Sequence, residues 1–201
     1  MQSTAHVREA TWDSIAIHYE HTDEKKVVYI YIRRRGNAHY EPWLVRAPSA
    51  LLARVGAHGM GLYAARRFKP EDILGKYEGT VVNTYESREH ALDSPLVHSV
   101  ARHGANKLRL MRSPGGGWDV INGDGAPLPN LSLVNDPHGT RYHANVHVSE
   151  WGFMRATATI PPFDLTKPLD QNIGSELKDS YGDEFWQMHS RLGTREVPLE
   201  V

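Results

Sequence analysis

The apolar residues of this chain come in short runs rich in Val, Ile, Tyr and Phe, each cut off by glycine, proline or asparagine. Few folds admit that rhythm. The clearest run, Lys26-Val27-Val28-Tyr29-Ile30-Tyr31-Ile32-Arg33, is built of β-branched and aromatic residues and predicts a strand. Further short runs cover Lys107 to Met111, Trp118 to Ile121, Ala144 to Val148 and Phe153 to Thr159. Between them stand Gly115-Gly116-Gly117, Asn122-Gly123-Asp124-Gly125 and Pro161-Pro162, which turn or end the chain, and Asp23-Glu24-Lys25 reads as another turn. Helix signals are few. The passage from Ala47 to Val55 reads as a short helix or irregular chain, and Asn83-Thr84-Tyr85-Glu86 has capping-box spacing, which predicts the longest helix over 84–92. Many short strands with few short helices predict a mainly β fold.

A length of 201 residues suits one domain with an appendage. Residues 1–50 read as a lead segment whose strand packs on the domain, 51–186 as the domain body, with an irregular exposed insertion at about 161–173, and 187–201 as a tail. The net charge of −1 argues against a protein that grips a phosphate backbone, so no direct nucleic-acid binding is expected. With no cysteine there is no disulfide framework and no thiolate zinc site. The first residues lack the basic and apolar regions of a signal peptide, and no window approaches a membrane-spanning length of apolar residues. An intracellular protein that does not enter a membrane is expected, in the nucleus rather than the cytoplasm.

Three segments carry chemistry. The first is Gly59-Met60-Gly61-Leu62-Tyr63, leading into Lys76-Tyr77-Glu78-Gly79. The second is Asn130-Leu131-Ser132-Leu133-Val134-Asn135-Asp136-Pro137, followed by His143-Ala144-Asn145-Val146. The third is Gly174-Ser175-Glu176-Leu177-Lys178-Asp179-Ser180-Tyr181-Gly182, which ends at Asp183-Glu184-Phe185-Trp186. In that order and spacing they resemble the SET domain of S-adenosylmethionine-dependent protein-lysine methyltransferases. In that family a Gly-x-Gly turn and a Tyr-x-Gly strand precede an Asn-rich segment and a closing Gly-x-Glu-Leu with Tyr-Gly. The resemblance spans roughly residues 51 to 186 and implies a SET fold: several short β-sheets, few short helices and a C-terminal pseudoknot-like crossing.

The resemblance also implies roles. Tyr181 takes the catalytic position and Tyr77 lines the lysine channel. Gly59, Met60 and Gly61 form a cofactor loop, Asn135 and Asp136 contact S-adenosylmethionine, and Phe185 and Trp186 are candidates to stack on its adenine, although simple core packing explains that pair nearly as well. Asn145 fixes the crossing, while Glu176 and Leu177 are structural, Leu177 buried and Glu176 paired locally. The implied partner is a protein or peptide with a target lysine, a histone tail among the candidates, and the product is S-adenosylhomocysteine. Such chemistry needs a neutral amine. An ordinary lysine, with a pKa of about 10.4, offers roughly one neutral amine in a thousand near neutral pH, a handicap of about 4 kcal/mol. A dry aromatic channel lowers that pKa by desolvation.

The chain departs from the family pattern in several places. Asp136 stands where a histidine is usual and Ser132 where an arginine is frequent. Asn145 follows an inserted 137–142, and Phe163 to Asn172 is extra. No metal is expected: His138, His143 and His147 are spaced as ligands, but Ala144 to Val148 alternates like a strand. Two other readings stay open: a non-catalytic SET module that binds a peptide or protein, and methylation of a non-histone target.

Overall fold

The computed structural model describes residues 5–9, 16–22, 27–34, 36–95, 108–127 and 129–181. The fold is mainly β, with eleven strands in three antiparallel sheets and two short α-helices among the described residues. Strands β1 (Ala5–Glu9), β2 (Ala16–Thr22), β3 (Val27–Arg33), β4 (Glu41–Pro48) and β5 (Met60–Ala64) follow one another as a five-stranded meander. Helix α1 (Ala50–Arg54) lies between β4 and β5, and the Ser49 hydroxyl caps it by accepting from Leu52 N–H. Next come β6 (Ile73–Lys76), β7 (Thr80–Tyr85), helix α2 (Arg88–Leu92), β8 (Leu108–Arg112), β9 (Trp118–Asn122), β10 (Val146–Val148) and β11 (Phe153–Ala156). They build one sheet in the order β10–β11–β6 and another in the order β7–β9–β8.

Alternation along β3 to β5 divides the core. Ile30, Ile32, Leu44, Leu62 and Ala64 face a large cluster that also takes Leu74, Met154 and Val146 from the second sheet and Met111 and Ile121 from the third. Their neighbours Val27, Val45, Ala47 and Tyr63 face a smaller cluster on the other side. Both faces of β4 are therefore covered. Trp43, 1% exposed, meets Phe68 edge-on at 5.0 Å and donates its indole N–H to Leu74 O at 2.7 Å. The lead segment and the domain body thus share a sheet and a core.

Two expectations need correction. No helix begins at Asn83, because Thr80 to Tyr85 form β7 and pair with β9 from Thr80↔Asn122 to Tyr85↔Trp118. Cross-strand partners favour a β-branched and aromatic run over a local capping pattern. The helix starts later and is shorter, capped by the Ser87 side chain, which accepts from His90 N–H. The second correction concerns 161–173, which is not simply irregular. Phe163 meets Tyr63 at 5.0 Å, Leu169 and Ile173 join the smaller cluster, and 169–172 form a 3-10 turn. Buried Asn172 staples the loop, accepting from Asp164 N–H at 2.8 Å and donating to Asp164 O at 2.9 Å.

The turn expected at 23–25 lies outside the described residues, apart from the ends of the strands that flank it. Among the described residues, no helix is long and apolar enough to cross a membrane.

Candidate functional site

Residues 174–181 run between two other parts of the molecule. On one side they extend the edge of β5: Ala64 N–H donates to Ser175 O at 2.9 Å and Leu177 N–H to Leu62 O at 2.7 Å. On the other side they run parallel to the chain at Asn135 and Val146. There Asp179 N–H donates to Asn135 O at 3.1 Å, and Asn145 and Val146 N–H both donate to Lys178 O. The Asn145 amide ties the same two segments, donating to Glu176 O and accepting from Lys178 N–H, both at 2.8 Å. Leu177, fully buried, anchors the crossing in the large core cluster.

At the far end of the crossing lies Tyr181. Its hydroxyl donates to Val134 O at 2.7 Å, and its backbone N–H donates to Asp136 Oδ2 at 2.6 Å. Asp136 Oδ1 accepts from His138 N–H at 2.7 Å, so the carboxylate bridges two backbone segments and fixes the start of Tyr181. Tyr77 is buried nearby, with Gly123 against its hydroxyl: a Cβ at Gly123 would come within 2.5 Å of that oxygen. Arg109, on β8, lies over both rings, its guanidinium carbon 5.5 Å from the Tyr77 centroid and 5.8 Å from that of Tyr181. It also forms an ion pair with Asp179.

Burial raises both phenols well above their ordinary range, with Arg109 partly offsetting the effect. Both remain protonated at neutral pH and act as hydrogen-bonding groups, not as bases. Burial also raises the Asp179 carboxyl, again against Arg109. Tyr77 in turn lines a cleft of ≈ 510 Å³ with Glu78, Asp119, Asp124 and exposed Trp151.

The other end of the crossing is organised by Glu176, whose side chain is fully buried. Its hydrogen-bond partners are distant in sequence, while Lys178, two residues on, is its local charge partner. Ser49 Oγ donates to Oε1 at 2.5 Å, Leu51 N–H donates to Oε2 at 2.8 Å, and Asn135 Nδ2 reaches Oε1 at 3.3 Å. Gly61 makes room for this carboxylate, since a Cβ there would lie 2.5 Å from Oε1. A Cβ at Gly59 would meet Leu52 Cδ1 at 2.6 Å. Neither glycine has a positive φ, and at Gly61 close approach of the fixed Glu176 carboxylate is the constraint, whereas the leucine methyl at Gly59 could shift. Asn135 Nδ2 also donates to Met60 O at 3.2 Å, which brings the Gly-x-Gly turn to the Asn-rich segment.

Lys178, 4% exposed, sits beside this carboxylate and donates to Ile173 O at 2.8 Å and Glu176 O at 2.7 Å. Desolvation lowers its pKa to about 8. Between about pH 8 and its unfolded value near 10.4, the unfolded chain binds the extra proton, so stability rises with pH in that window. Above about pH 10 the buried tyrosines work in the opposite direction, because the unfolded phenols ionise first. Denaturant unfolding from pH 8 to about pH 9.5 should show a slope approaching about 1 kcal/mol per pH unit. Lys178→Met should flatten that slope; an unchanged slope would contradict the assignment.

The crossing therefore brings together Met60, Gly61, Asn135, Asp136 and Tyr181, with Tyr77 joined to Tyr181 through Arg109. Phe185 and Trp186 lie outside the described residues. Sequence reasoning missed Arg109 and Asp179, and the reach of Glu176. An arginine in a short strand carries no local signal, and Asp179 lies 70 positions away from it. Scanned against models of protein families, the chain matches none, and no curated protein matches it significantly.

Proposed function

We propose that the chain is a SET-domain protein-lysine N-methyltransferase that moves a methyl group from S-adenosylmethionine to a lysine of a histone or other protein. The observation that carries this reading is the junction of the three motif segments at one crossing: Met60 with Asn135, and Asp136 with Tyr181.

The residues fit the cofactor. Asn135 is half-buried, its Nδ2 is held by Met60 O and Glu176, and its Oδ1 accepts from no described residue. That oxygen is left to accept from a ligand amine, and Gly59 and Met60 would line the same side. When bound, the cofactor supplies a methyl group on a positively charged sulfur. The rest falls to this chain. Tyr181 and Tyr77, both neutral, line the amine's path, orient it by hydrogen bonds and replace water with ring faces, which favours the uncharged amine.

A second reading, a binding module without transfer, is favoured by one observation: a guanidinium already lies over the two rings. Titration calorimetry with S-adenosylmethionine separates the two. The enzyme reading expects saturable binding that persists in Tyr181→Phe, and no heat up to millimolar cofactor would overturn it.

A further inference from the structure

Arg109 belongs to β8, which among the described residues is an edge strand paired with β9. Its side chain is 20% exposed, whereas that of Asp179, its partner, is 1% exposed. A cation over two aromatic rings and against an enclosed carboxylate is the arrangement by which proteins hold positively charged side chains.

We propose that Tyr77, Tyr181 and Asp179 form a cation-binding site that Arg109 fills in the resting chain and gives up to the lysine ammonium of a protein partner. The choice of lysine rests on the methyltransferase reading; the cation site itself does not.

Three observations favour exchange. Arg109 is partly exposed at a sheet edge, so its side chain has a route to solvent. Tyr77 connects the site to the open cleft, which carries Glu78, Asp119 and Asp124 and suits an incoming basic segment. The cations on that cleft are engaged elsewhere: Arg112 pairs with Glu150 at 3.2 Å and lies 4.3 Å from the Trp118 centroid, and Lys76 lies over Phe153.

The probe is n-butylammonium chloride, titrated into the full chain and followed by tyrosine fluorescence and thermal unfolding, with no cofactor present. Arg109→Ala should bind it saturably, at least tenfold more tightly than wild type, and Asp179→Asn in that background should lose the effect. Arg109→Gln, which keeps the aliphatic stem, serves if alanine prevents folding. If neither variant folds, the Arg109 side-chain Nε–H resonance of the wild type is followed through the same titration, and its displacement is expected. Equal response in wild type and variants, no saturable binding by a folded variant, or an unmoved Nε–H resonance would overturn the proposal. Because nothing here depends on methyl transfer, a chain that binds no S-adenosylmethionine would sink the enzyme reading and leave the cation site standing.

Discussion

Glu176→Ala should destabilise the chain by about 4 kcal/mol, since it leaves Ser49 Oγ and Leu51 N–H without an acceptor, takes one of two acceptors from Asn135 Nδ2 and opens a cavity in the crossing. The donors are Ser49 Oγ, Leu51 N–H and Asn135 Nδ2, drawn from the approach to α1, its first turn and the Asn-rich segment. Removing one acceptor thus loosens three elements at once. Domains of this size are commonly stable by only about 5–15 kcal/mol, so the variant should lie near the edge of folding. Glu176→Gln keeps the volume and one acceptor oxygen and should lose about 1–2 kcal/mol. Urea unfolding midpoints check both. A loss below about 1 kcal/mol in the alanine variant would show that the carboxylate does not hold the crossing together.

Trp43→Ala should lose a similar amount, about 4 kcal/mol, by emptying a large core position. The indole is 1% exposed, packs edge-on against Phe68 and donates to Leu74 O, which would lose its donor. Arg66 rests over the same rings, 4.4 Å from Trp43 and 4.7 Å from Phe68, and would lose one of its two supports. Trp43→Phe should retain most of the packing and lose about 1–2 kcal/mol with the hydrogen bond. A small effect of the alanine variant would mean that residues 41–48 are an appendage whose removal the domain tolerates.

What the sequence revealed was local. The runs that became β3, β8, β9, β10 and β11 were legible because β-branched and aromatic residues cluster between glycines and prolines. What it concealed was set by distant partners. Asn83 to Glu86 looked like a helix start because a capping box is a four-residue pattern, whereas pairing with Trp118 and Asp119 is invisible in that window. The 161–173 segment is exposed over most of its length, as expected, but nothing nearby in the sequence announces that Phe163 reaches Tyr63.

The candidate site divides the same way. Tyr181, Tyr77, Asn135 and Asp136 stood out through the resemblance of their segments to the SET-domain pattern. The carboxylate behind Gly61 and the arginine over the tyrosines did not, because each depends on residues far away in the chain.

Transfer of the methyl group itself is what most directly tests whether this chain is a lysine methyltransferase. Purified chain is incubated with methyl-labelled S-adenosylmethionine and histones or a whole lysate, beside a Tyr181→Phe variant shown to fold, and the acceptor residue is identified by mass spectrometry. The wild type should form Nε-methyl-lysine, with the rate or the number of methyl groups altered in the variant. No label on any protein, or label on a residue other than lysine, would contradict it.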